Sequence, residues 1–81
     1  MMKIYKPNGR CNISGLRIKA EREKAKLSQE QLAAKVQLLG LNMTQQSISR
    51  IEKGERIVAD YELEYFAEAL DKSILFLLGK E

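Results

Sequence analysis

The chain contains no histidine, no tryptophan, one proline and one cysteine among its 81 residues. A lone thiol, Cys11, closes no internal disulfide, and without histidine it has no soft partners for zinc. Neither a disulfide framework nor a metal site is expected. Histidine is also the side chain best suited to moving protons near neutral pH, and Cys11 has no base beside it. No glycine-rich phosphate loop of the Walker type occurs. Catalysis therefore has no foothold, and a binding protein without a cofactor is expected. No apolar run approaches the ~20 residues needed to cross a bilayer. The opening segment MMKIYKPNGR lacks the apolar stretch of a secretory signal, which points to a cytoplasmic protein away from the membrane. Without that signal, the glycosylation pattern at Asn12, Ile13 and Ser14 is read as a chance match.

What is present is an ordinary globular balance, 44% hydrophobic and 31% charged residues, with length enough for one domain and one core. The net charge of +3 is unevenly spread. Residues 1–56 hold twelve Lys and Arg against five Asp and Glu, whereas residues 57–81 hold two against six. A basic front and an acidic back suit a protein that meets a polyanion with one side.

Pro7, Asn8 and Gly9 interrupt the first dozen residues. Residues 1–13 are therefore read as an N-terminal arm, with Lys3, Lys6 and Arg10 available to phosphate, and residues 14–81 as the folded domain. From Ser14, Leu16 and Ala20 recur with the aliphatic stems of Arg17 and Lys24 at helical spacing, giving a first helix. Ser28 followed by Gln31 matches a capping box that starts a second helix at Gln29, with Leu32, Ala33 and Val36 inward and Gly40 as its stop. Thr44 caps a third, with Ile48 and Ile51 inward and Gly54 at its end. Its other residues, Gln45, Gln46, Ser47, Ser49 and Arg50, are too polar to be buried together. Asp60 is expected to cap a fourth helix carrying Leu63, Phe66, Ala67 and Leu70 on one stripe, and Ser73 a fifth with Ile74, Leu77 and Leu78 inward before Gly79. No stretch alternates like a strand, so the expected class is all-α, a five-helix bundle.

An α-helix fits the major groove of B-DNA, where side-chain amides pair with adenine and guanidinium groups with guanine. The third helix offers Gln45, Gln46 and Arg50 for this, and its N-terminus carries partial positive charge that favours a phosphate. In order along the chain, LSQEQLA at 27–33, TQQSISRIEKGER at 44–56, ELEYFAEAL at 62–70 and SILFLLG at 73–79 resemble the phage-repressor and Cro-like helix-turn-helix family, the XRE family. The resemblance covers about residues 18–79. It implies a lambda repressor-like fold and a transcriptional regulator, expected to be a repressor, that binds double-stranded DNA. It implies further that Gln29 touches a phosphate and braces the third helix, and that Gln45, Gln46 and Arg50 face bases. Thr44, Ser47, Ser49, Lys53 and Arg56 would contact the DNA backbone, which fixes register while bases choose sequence. Arg22 and Glu52 would form a structural ion pair tying the first helix to the third.

Two departures from the family pattern stand out. QLLGLN separates Val36 from Met43, longer than the family's usual short turn, so an extra turn on the second helix is expected with Leu38, Leu39 and Leu41 partly packed. Leu75 stands where the family often carries an acid, and with Phe76 it makes an apolar patch that suggests either self-association, consistent with a homodimer on two half-sites, or extra core packing. Domains of this family also act as antitoxins or as bridging factors, so a protein partner, a toxin or the transcription machinery, is the competing reading. The acidic residues Asp60, Glu62, Glu64, Glu68 and Asp71 could serve such a partner or simply solubilise the back of the domain.

Overall fold

Three of the helices begin where a hydroxyl oxygen accepts a hydrogen bond from the backbone N–H three residues on, which satisfies a donor that no helical carbonyl can reach. Ser28 accepts from Gln31 N at 3.0 Å, Thr44 from Ser47 N at 3.1 Å and Ser73 from Phe76 N at 3.0 Å. These caps open α2 (Gln29–Leu39), α3 (Gln45–Lys53) and α5 (Ile74–Leu77) in the computed structural model, which describes residues 6–81. At Ser28 the box is complete, because the Gln31 side chain accepts from Ser28 N at 2.8 Å. The other two helices are α1 (Gly15–Lys24) and α4 (Asp60–Leu70), and no strand occurs among the described residues. None of the described helices is long and apolar enough to cross a membrane.

α3 packs on α1 and α2, while α4 packs on α1, α2 and α5. Ile18, Leu32, Val36, Ile48, Ile51, Phe66 and Leu77 are fully buried where these helices meet. Each such side chain contributes about 1.5–3 kcal/mol by leaving water. Two of them, Ile48 and Ile51, are the whole of the apolar footing of α3, so they seat the helix and leave its polar face outward.

Four sequence expectations are corrected. The buried stripe of α1 is Gly15, Ile18, Glu21 and Arg22, not the Leu16 and Ala20 stripe; Leu16 is 57% exposed. α4 is not capped by Asp60, which is its first residue; Ala59 precedes it, and the Glu62 carboxylate accepts from Ala59 N at 3.0 Å. The long connection between α2 and α3 is absorbed unevenly. α2 ends at Leu39, Gly40 turns the chain with a φ of 116°, and Leu41 and Met43 are buried while Leu38 stays 89% exposed. Finally, residues 10–12 are not an arm, because Asn12 is buried and Cys11 N donates to Gly54 O at 2.8 Å. Lys3, assigned to the same arm, lies outside the described residues, and Lys6 is exposed.

Candidate nucleic-acid interface

The exposed face of α3 is carried by Gln45, Gln46, Arg50 and Lys53, with Ser47 and Ser49 half-buried beside them. The first amides of a helix lack intrahelical partners. At α3 the Thr44 hydroxyl takes one of them and also donates to Ser47 Oγ at 3.1 Å. The start of α3 is thus polar, exposed and positive in dipole, and three exposed polar side chains, Gln45, Gln46 and Arg50, lie in its first two turns.

Beneath this face a relay of hydrogen bonds fixes the helix. Arg22 on α1 donates to Glu52 near the end of α3 through Nε to Oε2 at 2.7 Å and NH2 to Oε1 at 3.0 Å. Its NH1 donates to Leu27 O at 2.8 Å, so the guanidinium also holds the chain entering α2. Glu52 Oε1 accepts a further bond from Gln29 Nε2 at 2.9 Å, and Gln29 Oε1 accepts from Gln45 Nε2 at 2.7 Å. Both charged partners are buried, with side chains 11% and 3% exposed. The carboxylate pairing holds the Arg22 guanidinium above its ordinary range despite the opposing effect of burial. Gln29 therefore joins α2 to both ends of α3. Gln45 gives one N–H to Gln29 and keeps its Oε1 and second N–H, the pair that an adenine edge requires.

The far end of α3 is held by residues of the expected arm. Asn12 Nδ2 donates to Ile51 O at 2.9 Å and Arg56 O at 2.8 Å, while its Oδ1 accepts from Gly15 N at 2.8 Å. Arg10 NH2 donates to Glu52 O at 2.9 Å, placing a cation at the negative end of the helix dipole. The Asn12 bond to Gly15 N is the local one of the three. Nothing local pointed to carbonyls some forty residues away.

Two expected site residues are engaged elsewhere. The Arg56 guanidinium meets Glu62 with two bonds of 2.9 Å and also donates to Ile57 O. That pairing holds the Glu62 carboxyl below its usual range, against burial and with help from Ala59 N–H. Arg56 is half-buried and committed to α4, unlike exposed Lys53. Leu75 and Phe76 do not form one patch either: Leu75 is 54% exposed, whereas Phe76 packs on the core with the Lys72 amine 5.1 Å from its ring centre.

A helix-turn-helix family model matches residues 18–77. The chain belongs to the XRE-type helix-turn-helix family. The match runs from Ile18 of α1 to Leu77 of α5, both fully buried, so it takes in α2 to α5, most of α1 and the core between them. Membership makes the protein a DNA-binding regulator of the XRE type, in a family that is typically non-enzymatic. No curated protein and no solved structure matches the chain.

Proposed function

We propose that the protein is a sequence-specific repressor that lays α3 in the major groove of an operator and binds as a homodimer. The observation that carries this reading is the division of α3 into a buried face and an exposed one. Ile48, Ile51 and Glu52 are buried, while Gln46 and Arg50 are exposed along the opposite side and Gln45 is exposed at the start of the helix. A helix with side chains is about 10–12 Å across, which matches the ~12 Å width of the groove. In this reading Gln45 and Gln46 take adenine edges and Arg50 a guanine, while Gln29, Thr44, Ser47, Ser49 and Lys53 meet the flanking phosphates. Arg56 contributes field rather than contact because Glu62 holds it. Occupying the site excludes other proteins from the same duplex, which is repression without further parts. Two copies on half-sites one turn apart multiply the specificity of a single small domain.

Selection of a duplex from a randomised library tests this, followed by affinities for the winner and a scramble at two salt concentrations. A palindromic winner bound orders of magnitude more tightly than the scramble supports the proposal. Equal, weak binding that collapses with salt would leave only a basic face. Lys53→Ala should then weaken every duplex alike, and Gln46→Ala should relax preference at one position by ~1–3 kcal/mol.

A further inference from the structure

Two grooves flank the exposed edge of α4. One, of about 480 Å³, runs between α4 and α5, with Val58, Tyr61, Ile74 and Leu78 as apolar walls and Asp60 and Glu64 at its side. The other, of about 290 Å³, adjoins it through Glu64 and is lined also by Leu39, Tyr65 and Glu68. No lysine or arginine lines either groove. Tyr61 is 58% exposed, and Ile74 and Leu39 are each more than a third exposed, so the apolar walls face water.

The carboxylates follow a rule of position. Asp60, Glu64 and Glu68 lie four residues apart and therefore share one stripe of α4. The positive end of the α4 dipole compensates Asp60 in the first turn, but that influence fades within a turn. Glu64 and Glu68 take part in none of the ion pairs among the described residues. An apolar groove between α4 and α5, continued by a more polar one and bordered by a negative ridge, matches one chemistry, an apolar helix face bordered by Lys or Arg. DNA is excluded by sign. A second copy in an isologous contact would set the same carboxylate stripe against itself, which like charge disfavours.

We propose that this surface docks a cationic amphipathic helix of a partner protein, whose apolar side chains enter at Tyr61 and Ile74 and whose cations meet Glu64 and Glu68. α5 packs on α4 and α1, and α3 packs on α1 and α2, so a partner on this surface leaves the exposed face of α3 open. The partner would be carried to whatever duplex α3 holds. The proposal stands on the grooves beside α4 and does not depend on how α3 reads DNA.

The test titrates the full chain into a fluorescein-labelled Leu/Lys amphipathic peptide of about 18 residues, long enough to become helical. Two controls accompany it: the same composition with Leu scattered round the helix, and the amphipathic peptide with Glu replacing Lys. The expected result is binding of the Leu/Lys peptide at least about tenfold tighter than the scattered one and none of the Glu peptide. Glu64→Lys and Tyr61→Ser should each weaken that binding about tenfold, the loss of one anchor, with unfolding midpoints and DNA affinity unchanged. Glu30→Lys, on α2 away from both grooves, should leave peptide affinity as it was. Equal binding of the scattered peptide would reduce the surface to charge alone and overturn the proposal. So would unchanged peptide binding by both groove variants, or a DNA-free dimer that dissociates on Tyr61→Ser, which would make the occupant a second copy.

Discussion

Replacing Arg22 by Met isolates the strut that holds α3. The methionine keeps the apolar stem but removes two donors to Glu52, at 2.7 and 3.0 Å, and one to Leu27 O at 2.8 Å. Glu52, 5% exposed, is left with Gln29 Nε2 as its side-chain donor. Stranding one partner of a buried ion pair costs about 3–5 kcal/mol. A domain of this length has about 4–12 kcal/mol in all, at the usual stability per residue, so the loss is a quarter of it or more. At about 4–8 °C per kcal/mol for small domains, the thermal midpoint should fall by at least ~12 °C. Circular dichroism melts and urea titrations read both numbers. The Arg22→Met, Glu52→Met double variant adds a second check, because removing both charges together should cost no more than stranding one. A single-variant loss below ~1 kcal/mol, the range of exposed pairs, would refute the reasoning. So would a double variant whose loss equals the sum of the singles.

Other consequences are as direct. Asn12→Ala should destabilise by about 1–3 kcal/mol in urea titrations, since it leaves the buried Gly15 N–H without its 2.8 Å acceptor and takes one donor from the Ile51 carbonyl. Gly15→Ala should lower the melting midpoint, although helix propensity alone favours alanine by about 0.8–1 kcal/mol. The reason is that a Cβ at Gly15 runs into the Ile51 carbonyl oxygen and Asn12 Oδ1, and the sign of the change decides. The Glu62 carboxyl is held below its usual range by Arg56, so the unfolded chain binds more protons than the folded one in mild acid. Stability from this pair should be level above the ordinary carboxylate range and fall as pH drops through it towards the lowered folded value. Glu62→Gln should flatten that limb in urea midpoints measured from neutral pH down to acid.

Helix starts were legible at Ser28, Thr44 and Ser73 because a cap involves only neighbours in sequence, and the stops at Gly40 and Gly54 for the same reason. The stripe of α1 was not, because Ile18 and Leu16 are both strongly apolar and only the packing of α3, α4 and α5 on α1 decides which is buried. The Arg22, Glu52 and Gln29 cluster came from resemblance rather than from spacing, since its members lie 23 to 30 residues apart. The role of Asn12 was hidden for the same reason. Arg56 misled because a cation beside a DNA-facing helix invites a phosphate, and nothing in the sequence ranks Glu62 as the better partner. The long connection kept Gln29 beside Gln45 because Leu41 and Met43 bury into the core, which depends on the space left between α2 and α3.

The central claim is that α3 reads bases, and Arg50 tests it most directly. The measurement compares wild type and Arg50→Ala on the selected duplex and on every single-base variant of it. The expected result is one guanine position per half-site where wild type loses ~1–3 kcal/mol on substitution and Arg50→Ala loses nothing, with preferences elsewhere retained. An Arg50→Ala profile that keeps every preference and is merely weaker throughout would contradict it, making Arg50 a phosphate contact and leaving the reading face of α3 without its guanine-specific residue.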